Sequence, residues 1–289
     1  MQFFDLHVHT NPDRFDRRYS QNELAKELIK TDSCAVIKSH ITGTTSPDFL
    51  QSKNLYGSVV LNEYVGGISL SVVKSCYALS QNQPFIIWFP TMTGLVRAKL
   101  KQKFSCPVFN VPNIPINRVS TKGVLLPEVL KIISFAAEHD ITIATGHASK
   151  AECYMLVSAA KELGCRLIVT HPFYKLTNFT VFELAAIADE YANVFFECSI
   201  LMNKMGYESY EDDIKLIKSI GITRVFTSSD FGQQQNETVS EGFAEYVTGI
   251  KKVSVGTITD DMIHDLVYST PKTILYGTRK KERAKSKKH

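Results

Sequence analysis

The sequence lacks the features of a membrane or secreted protein. No apolar run reaches the roughly 18 residues that are needed to span a bilayer. The first strand-like run begins at residue 2, which leaves no room for a signal peptide. The six cysteines are scattered, and none has the C-x-x-C spacing of a zinc knuckle or a redox pair. We therefore expect a soluble, cytoplasmic protein that has no membrane partner and keeps its thiols free.

The body of the chain also lacks the positive charge that is typical of nucleic-acid binding. The formal net charge is +4, but the stretch "RKKERAKSKK" at 279–288 alone carries +6, which leaves −2 for the rest of the chain. This balance does not favour nucleic acid as a partner. We expect a single domain over residues 1–278, followed by a basic, disordered tail over residues 279–289.

What the sequence does contain is a repeating pattern of short apolar, β-rich runs. Eight such runs are present, at residues 2–8, 34–38, 57–62, 85–89, 141–145, 166–170, 193–198 and 224–229. Amphipathic stretches with helical spacing separate most of them, and the second crossover, "SPDFLQSKN", has the weakest helical pattern. The pattern predicts an α/β protein with the fold of a (β/α)₈ TIM barrel, with a doubly wound open sheet as the alternative.

One segment interrupts this pattern after the fourth strand. Residues 103–128 contain four prolines, too many for a helix or a central strand, so we expect an inserted loop or small hairpin there. After the eighth strand, "SEGFAEYVTGIKKV" and "TDDMIHDLVYSTPKTILYG" predict C-terminal helices. Aromatic residues near the strand ends suggest a partly apolar pocket: Trp88, Phe89, Phe173 and Phe231.

Polar side chains follow several of the apolar runs. A lone histidine or aspartate at a strand end is more often structural than functional. In a parallel barrel, however, the carboxyl ends of all strands meet at one mouth. We therefore expect these polar side chains to converge there: His7, His9, Lys38, His40, His147, His171 and Asp230.

Such a set of side chains is typical of a metal site. Neutral imidazoles and a carboxylate are suitable ligands for Zn²⁺ or a similar divalent ion, which lowers the pKa of a bound water to about 7. Asp230 could touch the metal and accept the proton of that water. Lys38 is either a cation for a substrate carboxylate or oxyanion or, if carbamylated, a bridge between two metals. His40 could polarise a substrate carbonyl, and Asp5, on the same strand face as His7, could orient a ligand histidine.

These residues, in this order, resemble the amidohydrolase superfamily of metal-dependent hydrolases. The resemblance lies in an H-x-H after strand one, a histidine after strands five and six, and an aspartate after strand eight. Together, "DLHVHTNPD", "VIKSH", "EHDITIATGHAS", "LIVTHPF" and "SSDFGQ" look most like a small amidohydrolase-like family of unknown function. The resemblance implies one or two divalent ions, with zinc the expected metal, on these ligands: His7, His9, His147, His171 and Asp230.

The resemblance also implies the reaction. We expect a metal-dependent hydrolase of a small-molecule amide, lactone or related bond, with metal-bound hydroxide as the nucleophile and Asp230 as the general base. The other expected catalytic residues are His171, Lys38 and His40.

The fourth strand departs from the superfamily pattern. It ends "IIWFPTM", without the Lys or Glu that usually bridges two metals, and Lys38 or Glu63 could replace that ligand. The conservative expectation is one ion on His7, His9 and Asp230, with His147 and His171 either completing a second site or binding the water and the substrate.

Other functions stay open from the sequence alone. "DLHVHT" also resembles polymerase-and-histidinol-phosphatase domains, which cleave phosphoesters, although these typically end in D-x-H where this chain has "SDFGQ". A non-oxidative decarboxylase would use Lys38 or Arg97 to hold a carboxylate. An inactive binding barrel, with a tail that recruits an anionic partner, is a further alternative. A homo-oligomer is also open.

Overall fold

Eight parallel strands form the centre of the structure, a computed structural model that describes residues 1–94 and 116–277. Each strand pairs with the next one along the chain. The strands are nearly continuous buried runs because both faces of the sheet are covered. In chain order they are β1 (Phe4–His9), β2 (Cys34–Lys38), β3 (Leu55–Val60), β4 (Phe85–Trp88), β5 (Thr142–Ala144), β6 (Leu167–Val169), β7 (Val194–Ser199) and β8 (Val225–Ser228).

The first and last strands meet at their carboxyl ends. A parallel bridge joins Val8 to Phe231, just beyond β8, and the backbone N–H of His9 donates to the carbonyl of Phe231 at 2.7 Å. Gly232, at φ +129°, permits this close approach, because a Cβ there would lie 2.2 Å from the carbonyl oxygen of His9. The sheet is therefore a nearly closed barrel, which confirms the predicted (β/α)₈ fold.

Helices cover the outside of the barrel where the sequence predicts them. Five of them begin at a Ser or Thr capping box, in which two side chains satisfy two of the free backbone N–H groups at the helix start. The helices are α1 (Gln21–Ile29), α2 (Leu70–Leu79), α3 (Pro127–Glu138), α4 (Lys150–Leu163), α5 (Val181–Glu190), α6 (Ile200–Lys204), α7 (Tyr210–Ile220), α8 (Val239–Ser254), α9 (Asp260–His264) and α10 (Thr270–Tyr276), with a π-helical turn at Asp265–Ser269.

Among residues 1–94 and 116–277, no helix combines the length and the apolar character that crossing a bilayer requires.

The apolar core has two layers. The larger layer lies between the strands and the helices, and the smaller one, which includes Phe4, Val36 and Trp88, fills the barrel. Ile274 and Leu275 of α10 complete this inner layer at the amino-terminal end of the barrel. The hydroxyl of Thr142, at the start of β5, donates to the carbonyl of Ile274 at 2.6 Å, so α10 closes the amino-terminal end of the barrel.

The connection between β2 and β3 contains no helix. The hydroxyl of Thr44 donates to the carbonyl of Ile37 at 2.9 Å and accepts from the N–H of Ser58 at 2.8 Å. These bonds join the loop directly to both strands, so the loop covers the surface that a crossover helix would otherwise bury. The weak helical pattern of this crossover therefore has a structural reason.

The predicted insertion after the fourth strand is described only in part. A short hairpin pairs Ser120–Thr121 with Val124–Leu125. Pro127 is the first residue of α3, a position where a backbone N–H would have no acceptor within the helix, so the N–H that proline lacks is not needed. The segment 95–115, which includes Arg97, and the predicted tail lie outside the described residues.

Candidate metal centre

A cavity of about 430 Å³ opens at the carboxyl ends of the strands. The loops after β1 and β8 supply polar walls through Arg17 and the glutamines at 233–235. The aromatic residues expected to make the pocket partly apolar do not line it, because Phe89, Phe173 and Phe231 pack in or against the outer core layer and Trp88 lies in the inner one; Phe15 supplies apolar surface to the cavity instead. Six of the seven predicted site residues line the cavity: His7, His9, Lys38, His40, His147 and Asp230.

Three of these side chains meet at one point. Oδ1 of Asp230 lies 3.0 Å from Nε2 of His7 and 3.1 Å from Nε2 of His9. All three residues are buried. Asp230 reaches this point from a backbone with φ +54°, a conformation uncommon outside glycine, which is held by a 2.8 Å bond from its N–H to the carbonyl of His7.

The other nitrogen of each histidine faces a second carboxylate. Nδ1 of His7 lies 2.7 Å from Oε1 of Glu197, and Nδ1 of His9 lies 3.2 Å from Oδ2 of Asp13. Both nitrogens of each ring therefore face a carboxylate, because Asp230 lies on the Nε2 side. With an ion bound between the Nε2 atoms and Asp230, each ring would carry its proton on Nδ1 and donate it to Glu197 or Asp13.

The convergence of three acceptors fits a bound cation. His7, His9 and Asp230 offer ligand atoms that all lie within 4.8 Å of one another. Burial lowers the pKa of His7, but the charges of Asp230 and Glu197 outweigh burial and raise it above its ordinary value. The point where these atoms meet therefore attracts positive charge, and two imidazoles with a carboxylate are a donor set that suits zinc.

His171 extends this cluster on the side of β6. Its Nε2 lies 3.4 Å from Oδ2 of Asp230, and its Nδ1 lies 3.2 Å from Oε2 of Glu197. The backbone N–H of His171 also donates to Glu197 at 3.2 Å and helps to hold a backbone with φ +46°. His7, His171 and Glu197 form a second group with metal-ligand spacing.

His147 lies apart from both groups. It lines the cavity, and its ring centroid is 6.1 Å from that of His171. Burial and the neighbouring His171 hold the pKa of His147 well below its ordinary value. Among the described residues, the groups with metal-ligand spacing do not include His147. The neutral ring faces the open part of the cavity.

Lys38 is the cation closest to the cluster. Its ammonium lies 2.8 Å from Nε2 of His7 and 3.9 Å from the ring centroid of Trp88. Burial lowers the pKa of Lys38 to about 8. Lys38 therefore lies within reach of any ion or substrate atom bound at His7.

Two other predicted roles correspond to different contacts. Glu63 is exposed at the rim, where it accepts from the amide of Asn117 at 2.9 Å, away from the convergent cluster. Asp5 accepts from the backbone N–H of His7 at 3.0 Å and does not contact the ring. The pairing of β1 with β2 shifts register between Asp5 and Val8, so simple alternation does not describe which residues of β1 share a face. The orienting role expected of Asp5 belongs to Glu197.

Glu197 and Asp13 are the site residues that sequence reasoning missed. Glu197 is fully buried, and although burial opposes its charge, contacts with His171 and His7 lower its pKa to about 2. A signal was present in "NVFFEC", where a glutamate interrupts an otherwise apolar strand. Asp13 offered no such signal, because an aspartate after a proline in a loop is typical of a turn.

Comparisons with known proteins agree with this geometry. The model of a family of unknown function, DUF6282, matches residues 2–197. No curated protein matches the sequence. Among solved structures, a probable 2-pyrone-4,6-dicarboxylic acid hydrolase from Acinetobacter baumannii with bound citric acid matches at a TM-score of 0.59 and 11% identity, over 96% of this chain and 100% of the other.

Two further solved structures are similar over nearly their whole lengths. An amidohydrolase from Burkholderia multivorans with bound zinc matches at a TM-score of 0.51 and 9% identity, over 96% of this chain and 99% of that one. A lactonase from Listeria monocytogenes matches at a TM-score of 0.52 and 9% identity, over 95% of this chain and 94% of that one. At these identities the likeness concerns the fold, and it agrees with the amidohydrolase-like barrel that the sequence predicts.

Proposed function

The chain belongs to the DUF6282 family and has an amidohydrolase-like barrel, and from these premises we propose that it is a metal-dependent hydrolase of a small-molecule amide, lactone or related bond. The observation that carries the proposal is the convergence of three acceptor atoms on one buried point. Two imidazoles and a carboxylate at one buried point are a ligand set that a divalent ion would complete.

His7, His9 and Asp230 would hold the ion, and zinc is the metal that their chemistry favours. A divalent ion supplies Lewis-acid activation of water and of a substrate carbonyl. A single ion is the simpler assignment, because Glu63 lies at the rim and His147 lies outside the cluster.

Asp230 has the position of a general base. Its Oδ1 faces the two histidines, and its Oδ2 faces His171. Burial opposes its charge, but contacts with His7, His171 and His9 hold its pKa well below the ordinary value, so the carboxylate is ionised and able to take a proton. His171 and Lys38 would bind the oxygen atoms of the substrate.

The cavity favours a small, polar substrate. Its volume of about 430 Å³ is at the small end of ligand-binding sites, and its wall is rich in hydrogen-bonding groups from Arg17 and the glutamines at 233–235. The described cysteines are all free, which suits the reducing conditions of the cytoplasm, and we place the enzyme there.

Metal analysis of the purified full-length protein tests the proposal. We expect about one zinc ion per chain, lost in His7→Ala and Asp230→Asn and retained in the control His139→Ala, whose histidine lies at the end of α3. The loaded protein should then hydrolyse members of a panel of esters, lactones and amides. Wild-type protein without stoichiometric metal, or variants with unchanged metal affinity, would contradict the proposal.

A further inference from the structure

Asp13 contacts two histidines from different strands of the barrel. Its Oδ2 lies 3.2 Å from Nδ1 of His9, at the end of β1. Both of its oxygens lie 3.1 Å from Nδ1 of His40, in the loop after β2. Its Oδ1 also accepts from the backbone N–H of His40 at 2.7 Å. The two rings stack at 4.6 Å with an interplanar angle of 6°, so one buried carboxylate holds both of them side by side.

Arg17 fixes Asp13 in this position. Two nitrogens of its guanidinium contact Oδ2 of Asp13. Nε donates to this oxygen at 2.7 Å, and one terminal nitrogen lies 2.6 Å from it. A planar guanidinium that contacts a carboxylate through two nitrogens restricts its rotation. Asp13 therefore presents its oxygens to the histidines in a fixed orientation.

The contacts determine the proton position on His40. A nitrogen that lies 3.1 Å from both oxygens of a carboxylate must carry a proton, since a lone pair there would face the lone pairs of both oxygens. The 3.3 Å contact from Arg17 to the same nitrogen is longer, and Arg17 is already bonded to Asp13. In the described part of the chain, no hydrogen bond reaches Nε2 of His40, which lines the cavity.

We propose that Asp13 is a positioning residue that holds both His9 and His40 with the proton on Nδ1. The Nε2 lone pair of His9 then faces the ion site, and the Nε2 lone pair of His40 accepts a hydrogen bond from the substrate. The substrate would therefore carry a hydroxyl or N–H group next to the bond that is cleaved. The carbonyl polarisation expected from the sequence would instead need a donor at this nitrogen. The inference rests on the proposed function for its catalytic meaning, while the proton position on His40 can be tested without it.

Nuclear magnetic resonance on the full-length protein, with ¹⁵N-labelled histidine, tests the proton positions directly. Long-range ¹H–¹⁵N spectra distinguish the two neutral forms of an imidazole by the shifts of its nitrogens. We expect His40 to be protonated at Nδ1 in the metal-free protein, and His9 to be protonated at Nδ1 in the zinc-loaded protein, where its Nε2 would face the ion. A proton on Nε2 of His40 alone would overturn the proposal, whether or not the protein binds metal.

A pair of variants tests the consequence for the ion site. In Asp13→Asn we expect the dissociation constant for Co²⁺ to rise roughly 10- to 100-fold and the visible spectrum of the bound Co²⁺ to change. Asp48→Asn removes the same charge from the loop after β2, but Asp48 is exposed and does not belong to the described lining of the cavity, so its Co²⁺ affinity and spectrum should match wild type.

The outcomes separate this inference from the proposed function. Wild-type protein that binds no Co²⁺ would overturn the proposed function and leave the proton position on His40 to the spectra. Normal Co²⁺ binding in Asp13→Asn would overturn the positioning role alone. If Asp13→Asn does not fold, the wild-type spectra decide, because they need no substitution.

Discussion

At the residue scale, the orientation of the histidines depends on carboxylates that never face the cavity directly. Glu197 accepts from Nδ1 of His7 at 2.7 Å and from the backbone N–H of His171 at 3.2 Å, so one buried side chain orients the ring of His7 and holds the backbone that carries His171. Such partners fix which nitrogen carries the proton and raise the basicity of the other one. Glu197 should therefore matter for metal binding without touching the metal.

Glu197→Gln tests this dependence. Glutamine has one acceptor oxygen where Glu197 has two, so it cannot accept from both the ring of His7 and the backbone N–H of His171 in the present arrangement. We expect the dissociation constant for Zn²⁺ to rise roughly 10- to 100-fold, measured by competition with a chelator. Glu63→Gln is the matched control, because Glu63 is exposed at the rim, and its affinity should equal that of wild type. Equal affinity in both variants would show that Glu197 has no role in orienting the ligands.

The sequence identified the residues that face the cavity better than the residues that support them. His7 and His9 lie at the carboxyl end of β1 and Asp230 lies just beyond β8, so the geometry of a parallel barrel predicts their convergence. Glu197 lies equally close to the end of β7, but a single glutamate in an apolar strand does not show which face it occupies, because that depends on register. The distance of His147 from the cluster could not be predicted, because it depends on the loop after β5 and not on the strand order.

At the element scale, β7, α7 and α8 meet around a second buried set of polar groups. Cys198, Glu208 and Asp213 lie within 4.8 Å of one another, and Tyr246 donates to Asp213 at 2.7 Å. Burial, together with the neighbouring Asp213, raises the pKa of Glu208 well above its ordinary value. Two carboxyl groups this close in an apolar interior share a proton, because both cannot ionise.

This arrangement predicts a pH dependence of stability. Glu208 keeps its proton in the folded chain but loses it near pH 4.5 when unfolded, so the free energy of unfolding should fall as the pH rises above that value. Glu208→Gln retains a donor and cannot ionise. Between pH 5 and pH 8, the free energy of unfolding measured by chemical denaturation should therefore fall less for this variant than for wild type.

Glu211→Gln provides the control, since it removes an exposed carboxyl group three residues further along the chain, in the first turn of α7. Its loss of stability between the two pH values should parallel that of wild type. A loss in Glu208→Gln equal to that of wild type would mean that the buried carboxyl group is ionised in the folded protein.

The spacing of apolar residues predicted the helices well because the buried face of each helix repeats along the sequence. The structure adds that a Ser or Thr followed three residues later by an acidic residue begins α1, α4, α5, α7 and α8. The connection from β2 to β3 shows the limit of such signals. Thr44 joins that loop to both strands through its hydroxyl, and a contact of this kind depends on the tertiary structure.

At the scale of the whole molecule, the barrel is closed at one end and open at the other. Ile274 and Leu275 of α10 fill the amino-terminal end of the barrel, and the hydroxyls of Tyr56 and Tyr276 lie 2.5 Å apart there. The cavity occupies the opposite end. Alternating strands and helices in the sequence were sufficient to predict the barrel, and the apolar C-terminal stretch indicated a closing helix without showing which end it covers.

Truncation tests which C-terminal residues the fold requires. A chain that ends at Gly277 keeps α10, so its melting temperature and metal content should match those of the full chain. A chain that ends at Ser269 loses α10 and exposes the inner core layer, and we expect it to melt at a lower temperature or to fail to fold. Loss of metal in the chain that ends at Gly277 would show that the basic residues beyond it contribute to the site.

The position of α10 also determines how the protein can be attached to other objects. Gly277 follows Tyr276 at the closed end, so a surface, a bead or a fused partner joined there lies behind the barrel with respect to the cavity. Immobilisation of a chain that ends at Gly277, through that residue, would present the entrance to the surrounding solution. The orientation suits a biosensor or a flow reactor, since every tethered copy would receive substrate from the open side.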